Sequence, residues 1–121
     1  MSMTILTVDD SRTMRDMLRI ALSNSGFQVI AAEDGVHGLE VLQGASPDVI
    51  ITDINMPRMD GFAFMEHVRQ DKRHRAVPIL VLTTESSAEK KARARAAGAT
   101  GWIVKPFDPA KLSDAIRRVA G

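Results

Sequence analysis

Three short apolar runs constrain the fold of this chain more than any other feature of its sequence. They form the centres of three predicted strands, Thr4 to Val8, Asp48 to Thr52 and Ile79 to Leu82. Continuous apolar runs of this length are typical of strands that are buried on both faces, as in a parallel sheet covered by helices. The runs therefore predict an α/β fold built around a buried sheet.

Helix signals separate these strands. Ser11 can cap a first helix that should end at Gly26. Apolar residues recur along it at helical spacing, at Met14, Met17, Leu18, Ala21 and Leu22. Six side chains are expected to have structural roles only: Met14, Met17 and Met65 in the core, and His37, His67 and His74 on helix surfaces.

Four more helices and two more strands complete the pattern. The helices are predicted from Asp34-Gly35 to about Gly44, from Gly61 to Asp71, from a capping box of Ser86 and Glu89 to Gly98, and from Asp108 to the C-terminus. The strands are predicted at Phe27 to Ala32 and Trp102 to Val104. The fourth helix has no large apolar residue, so it should be weakly anchored. The result is a doubly wound parallel sheet of five strands flanked by five helices.

Composition excludes several classes of protein. A length of 121 residues predicts one domain spanning residues 1–121. The chain has no cysteine, hence no thiol chemistry, and neither a membrane span nor a secretory signal is apparent, so a cytoplasmic protein is expected. The net charge of +1 argues against a general nucleic-acid binder. Residues 86–121 nevertheless carry a net charge of +5, which indicates either a surface for acidic partners or ordinary solvated helix faces.

Polar residues follow the predicted strands at one end. Asp9 and Asp10 follow the first strand, Asp53 the third, Thr83 the fourth and Lys105 the fifth. The carboxyl ends of parallel strands form one edge, where ligands of open α/β sheets bind. Each residue alone has an ordinary explanation as a cap, a turn or a surface side chain. Together they predict a functional site.

Three clustered carboxylates repel one another unless a cation joins them. Oxygen ligands indicate a hard divalent ion, first of all Mg²⁺, which keeps open positions for phosphoryl oxygens. The lysine and the threonine can hold further phosphoryl oxygens. The set therefore fits phosphoryl transfer to a carboxylate nucleophile.

Four motifs give the chain a family resemblance. They are Val8-Asp9-Asp10-Ser11, the stretch from Asp53 to Gly61, Leu82-Thr83, and Val104-Lys105-Pro106-Phe107. In order and spacing they resemble the receiver domain of response regulators, and most of all the stand-alone chemotaxis regulators of bacteria. The resemblance covers essentially the whole chain and implies a flavodoxin-like sheet with strand order 2-1-3-4-5.

The resemblance also implies a role for each motif residue. Asp53 would accept a phosphoryl group from a sensor histidine kinase. Mg²⁺ would be bound by Asp10, Asp53 and the backbone carbonyl of Asn55, with Asp9 acting mainly through water. Lys105, before a cis proline, would contact the phosphoryl group. Thr83 would move toward the phosphoryl oxygens, and Trp102 would turn inward with it.

Further implications concern lifetime and partners. Asn55 and Glu85 occupy the positions that influence hydrolysis of the phosphorylated form. Trp102 stands where the family usually has tyrosine or phenylalanine, and Thr84 where it commonly has alanine. These two differences should affect the rate and extent of switching but not the phosphoryl-transfer chemistry. A monomer is expected, with a flagellar motor switch protein as the output partner and a phosphatase as a possible one; no contact with nucleic acid or membrane is expected.

Two alternatives use the same residues differently. The chain can be a phosphorelay shuttle or a phosphate sink that exchanges phosphate with a histidine phosphotransfer protein and has no motor target. It can also be a phosphohydrolase with an aspartyl nucleophile. Phosphatases of the haloacid-dehalogenase type carry a general-acid aspartate two residues after the nucleophile, where this chain has Asn55. The phosphohydrolase reading is therefore the weakest of the three.

Overall fold

The computed structural model describes residues 2–121, in which five strands alternate with five helices. The strands are β1 (Thr4–Val8), β2 (Gln28–Ala32), β3 (Val49–Thr52), β4 (Ile79–Thr83) and β5 (Gly101–Val104). The helices are α1 (Arg12–Asn24), α2 (Gly35–Leu42), α3 (Gly61–Gln70), α4 (Ala88–Ala97) and α5 (Pro109–Ala120). All strand pairs are parallel and the order is β2-β1-β3-β4-β5, which confirms the predicted topology.

The core lies on both faces of this sheet. One layer packs side chains of α2, α3 and α4 against it, with Phe64 and Met65 among the fully buried residues. The other layer packs α1 and α5, through Leu18, Leu22 and Leu112 among others. Strands β1, β3 and β4 lie inside the sheet, which explains why their sequences are continuously apolar.

Helix caps set where the helices begin. Ser11, Asp34, Asp60 and Asp108 each accept a backbone N–H three residues ahead, at the starts of α1, α2, α3 and α5. The cap of α4 was predicted one residue too early. Ser87, not Ser86, accepts the N–H of Lys90, so the predicted capping box of Ser86 and Glu89 is wrong.

Two further predictions about single residues are wrong. Met17 is 47% exposed, because the buried stripe of α1 runs through Leu18 and Leu22. His74 lies beyond the end of α3 and is buried, with its Nε2 2.9 Å from the carbonyl oxygen of Leu42. Met65 is buried as expected. Across residues 2–121, no helix combines the length and the apolarity that crossing a membrane requires.

Candidate functional site

The carboxyl ends of four strands bring the predicted site residues together. Asp9 follows β1, Asp53 follows β3, Thr83 ends β4 and Lys105 follows β5. The Nζ of Lys105 lies 2.9 Å from Oδ2 of Asp9 and 2.8 Å from Oδ2 of Asp53. One ammonium therefore joins two carboxylates that are distant in sequence, as their position at one sheet edge predicted.

Backbone hydrogen bonds fix the remaining carboxylate oxygens. Oδ1 of Asp53 accepts the N–H of Ile54 at 2.6 Å, and Oδ1 of Asp9 accepts the N–H of Ser11 at 2.9 Å. The backbone N–H of Asp53 donates to the carbonyl of Val8 at 3.0 Å. Both carboxylates are thus oriented by the main chain, with one oxygen of each directed to Lys105.

Electrostatics at this edge depend on burial. Burial raises the pKa of Asp9 above its usual value, although hydrogen bonds from Ser11 and Lys105 oppose the shift. For Lys105, burial works against the charged form, but hydrogen bonds to Asp53 and Asp9 outweigh it and raise the pKa of the ammonium. Lys105 therefore stays protonated near neutral pH and offsets part of the carboxylate charge.

Asp10 completes an acidic cluster. Asp9, Asp10 and Asp53 each offer an oxygen, and these oxygens all lie within 4.8 Å of one another. Asp9 and Asp53 are buried, whereas Asp10 is exposed, so the cluster opens to solvent on one side. An all-oxygen donor set with an open side fits Mg²⁺, which prefers few carboxylates and retains several waters.

Glu85 centres a second network beside the cluster. Its Oε1 accepts hydrogen bonds from Asn55 Nδ2 at 3.3 Å and from Lys90 Nζ at 2.8 Å. The hydrogen bond from Lys90, followed by that from Asn55, lowers the pKa of Glu85. The backbone N–H of Glu85 donates to Oγ1 of the fully buried Thr83 at 3.3 Å. This network links the loops that follow β3 and β4.

Trp102 joins this network from β5. Its Nε1–H donates to the carbonyl oxygen of Glu85 at 3.1 Å, and the residue is partly buried. The backbone N–H of Lys105 donates to the carbonyl of Thr83 at 2.8 Å. Hydrogen bonds thus connect the segment around Thr83 and Glu85 to two positions on or after β5. The peptide bond between Lys105 and Pro106 is cis, as the resemblance implied.

Sequence reasoning missed three members of the site's surroundings. Arg15 donates to the carbonyl of Asp9 at 2.7 Å, Lys90 pairs with Glu85, and Arg58 pairs with Asp34. Lys90 belongs to no recognisable motif, and the sequence indicated it only as one of the basic residues in the segment 86–121. Arg58 lies within the motif that contains Asp53, but its partner is 24 residues away, so the sequence alone did not reveal the pair.

Comparisons with known proteins agree with this geometry. The family model of the response regulator receiver domain matches residues 5–117. The chain is 41% identical over 121 residues to the chemotaxis protein CheY1 of Helicobacter pylori, a match that covers 98% of each chain. A structure of the chemotaxis protein CheY4 of Vibrio cholerae has a TM-score of 0.94 at 46% identity, covering 98% of this chain and 99% of that one.

Another similar structure contains a metal ion. It is the receiver domain of the sensor histidine kinase PA1611 from Pseudomonas aeruginosa, with a magnesium ion coordinated in its active-site cleft. Its TM-score is 0.93 at 26% identity, and the match covers 100% of this chain and 99% of that one. The family model, the relatives and the fold agree, and the chain belongs to the response-regulator receiver-domain family.

Proposed function

We propose that this chain, as a single receiver domain over residues 1–121, is a signalling switch phosphorylated on Asp53. The observation that carries the proposal is the contact of Lys105 with both Asp53 and Asp9 inside a cluster of three carboxylates. A purely structural ion pair would not need two further carboxylates around one lysine. A phosphoryl group on Asp53 would give the ammonium a new anionic partner.

The chemistry follows from the groups present. A carboxylate oxygen of Asp53 attacks the phosphorus of a phosphohistidine on a sensor histidine kinase. A P–O bond forms, the P–N bond breaks, and the electron pair leaves with the imidazole nitrogen. The product is an acyl phosphate on Asp53. Its other carboxylate oxygen keeps the N–H of Ile54 as a partner, which holds the nucleophile in place.

Mg²⁺ would be held by Asp10, Asp53 and the backbone carbonyl of Asn55, with Asp9 acting mainly through water. When bound, it supplies positive charge beside the phosphoryl oxygens. The chain itself supplies the ammonium of Lys105 and the hydroxyl of Thr83, which lies on the neighbouring strand end. Both groups can donate to oxygens that gain charge during the transfer.

The output follows from the second network. When Thr83 donates to the phosphoryl group, its Oγ1 is drawn away from the N–H of Glu85, with which it now bonds. Trp102 is tied to the carbonyl of Glu85, so the change is passed on to β5. Asn55 and Glu85 flank the site and control how easily water reaches the acyl phosphate on Asp53. They therefore influence how long the phosphorylated form lasts before it is hydrolysed. A phosphatase partner would act at this same opening.

The partner proposed for the phosphorylated form is a flagellar motor switch protein. Its support is the similarity to chemotaxis proteins of the CheY type at 36–46% identity. The setting would be cytoplasmic, and the active form a monomer.

The alternative is a phosphorelay shuttle or a phosphate sink, which is favoured by the likeness to a receiver domain of a sensor histidine kinase. Phosphorylated and unphosphorylated protein should be titrated with a motor-switch peptide; equal affinities would support the relay.

The phosphorylation itself is tested with a small phosphodonor. Wild-type protein incubated with acetyl phosphate and Mg²⁺ should gain one base-labile phosphoryl group, measured by intact mass. Asp53→Asn should gain none, because the amide is not a nucleophile. Asp71→Asn, a surface carboxylate at the far end of α3, is the matched control and should label like wild type. Labelling of Asp53→Asn would refute the site.

A further inference from the structure

Within the loop that joins β3 to α3, the segment of residues 55–59 forms one wall of the proposed site. It begins two residues after Asp53, and Asn55 is its first residue. The N–H of Gly61 donates to the carbonyl of Ile54 at 2.8 Å and closes the base of the loop. The position of the Asn55 main chain therefore depends on how the rest of the loop is held.

The loop contains a tight three-residue turn centred on Arg58. The N–H of Met59 donates to the carbonyl of Pro57 at 2.7 Å, and Arg58 between them has a φ of 66°. Among residues 2–121, Arg58 is the one non-glycine residue with a positive φ. A γ-turn of this hand is rare and strained, and it persists where surrounding contacts enforce it.

A forked ion pair supplies such a contact. Nε of Arg58 lies 2.7 Å from Oδ2 of Asp34, and a second guanidinium nitrogen lies 3.0 Å from Oδ1. The side chain of Asp34 is only 5% exposed, and it also caps α2 by accepting the N–H of His37 at 2.8 Å. Parallel charge-assisted bonds of this kind fix orientation as well as distance. Arg58 is thus anchored to a buried group on a rigid helix end.

Close packing supports the same junction. The first residue of α2, Gly35, leaves no room for a side chain: a Cβ there would lie 2.9 Å from Cγ of Met59. Met56 and Met59 pack against the core layer that α2 shares with α3. Met59, the residue after Arg58, therefore sits directly against the first residue of α2, so the ion pair acts beside a short, well-packed contact.

We infer that the Asp34–Arg58 ion pair is a positioning device that holds residues 55–59 in the shape the proposed metal and phosphoryl site requires. The inference rests on the proposed function, because it concerns the Asn55 main chain as a ligand of that site. Neither Asp34 nor Arg58 touches the reacting atoms. They act through the strained turn, as outer partners of metal ligands commonly do.

The test is a double-mutant cycle with Mg²⁺ as the probe. Asp34→Asn keeps a side chain that can cap α2 but removes the charge, and Arg58→Gln removes the charge from the other side. Mg²⁺ affinity of the unphosphorylated protein is measured by isothermal titration calorimetry. Each single variant should bind about tenfold more weakly than wild type. The double variant should bind no more weakly than either single one, because both remove the same interaction.

Two controls separate positioning from general stability. Arg73→Gln breaks a surface pair with Asp71 in which the arginine is about as exposed as Arg58 (55% and 52%), and its Mg²⁺ affinity should equal that of wild type. Arg58→Gly removes the ion pair but adopts a positive φ without strain, so it should fold well and still bind Mg²⁺ weakly. Without metal, hydrogen exchange of the Met59 amide should be faster in Asp34→Asn than in wild type.

Several results would overturn the inference. Wild-type affinity in Asp34→Asn and Arg58→Gly would reduce the pair to a structural contact, as would unchanged exchange at Met59. Additive losses in the double variant would show that the two residues act separately. If wild-type protein itself bound no Mg²⁺, the proposed function would fail together with this inference. Normal binding by wild type and variants alike would overturn the inference alone.

Discussion

Because Gly61 has no side chain, the first residue of α3 can lie against the main chain of Asp53, directly after β3. A Cβ at this position would collide with the carbonyl oxygen of Asp53 and lie 2.9 Å from Cα of Ile54. These are backbone atoms, so relief requires a shift of the main chain on which the proposed nucleophile sits. Gly61 therefore helps to set the position of Asp53 as well as the start of α3.

We expect Gly61→Ala to lower the free energy of unfolding by about 1–3 kcal/mol, the usual cost of overpacking. Labelling by acetyl phosphate should slow as Asp53 is displaced. Gly44→Ala is the matched control, because a Cβ there meets nothing within 4 Å, and it should leave stability equal or slightly higher. Urea denaturation of both variants measures the difference. A Gly61→Ala protein as stable as wild type would contradict the steric argument.

The Asp34–Arg58 pair gives stability a defined pH dependence. The hydrogen bond from Arg58 lowers the pKa of Asp34 below its ordinary value of 3.8. A carboxylate with a depressed pKa in the folded state stabilises the fold above its unfolded-state pKa, and the contribution is lost as pH falls through the folded value. The melting-temperature gap between wild type and Asp34→Asn should be constant above about pH 5 and shrink below 3.8. A gap that widens in acid would contradict this linkage.

Single residues mark where prediction from the sequence stops. The position of Asp9, Asp53 and Lys105 at strand ends was sufficient to predict their proximity. The γ-turn at Arg58 was not predictable, because its strain is enforced by a partner 24 residues away. The burial of His74 was missed for a similar reason: its hydrogen-bond partner is the end of α2, 32 residues earlier.

Among the elements, α4 is held to the domain by few apolar contacts, as its alanine-rich sequence predicted. Ala94 is its one buried residue. Its C-terminal end is instead held by Arg69 of α3, whose guanidinium donates to the carbonyl of Gly98 at 2.6 Å and to that of Val77 at 2.6 Å. Arg93 of α4 lies 4.0 Å over the ring of Phe62. Hydrogen bonds from an arginine do not change the pattern of apolar residues. The sequence therefore predicted the weak apolar packing of α4 but not its attachment by Arg69.

Removal of this anchor should loosen α4. Arg69→Met leaves partly buried carbonyls of Gly98 and Val77 without their donor, so we expect a loss of about 2 kcal/mol in the free energy of unfolding. Amide exchange should accelerate most in the last turn of α4. Gln70→Ala, an exposed neighbour on α3, serves as the control and should change neither quantity. Unaltered exchange in α4 would assign its anchoring to Ala94 and Arg93 instead.

For the whole molecule, the parallel sheet explains why one lysine can couple distant parts of the chain. The side chain of Lys105 reaches Asp9 and Asp53, and its backbone N–H holds Thr83. Five alternating strands and helices were predictable from apolar runs and caps. The strand order came from the family resemblance, because periodicity does not say which strands are neighbours. That order brings the ends of β1, β3, β4 and β5 to one edge of the sheet, where Lys105 contacts Asp9, Asp53 and Thr83.

This arrangement predicts that metal binding and signalling can be separated at Lys105. Lys105→Ala removes a cation that competes for the carboxylates, so Mg²⁺ affinity measured by calorimetry should stay equal or increase. Acetyl phosphate should change the fluorescence of Trp102 in wild type, and this change should be lost in Lys105→Ala. Lys111→Ala, an exposed base on α5, should keep the full change. A full fluorescence change in Lys105→Ala would mean that Thr83 alone carries the signal to β5, and that the bridge seen between Asp9 and Asp53 serves only to offset their charge.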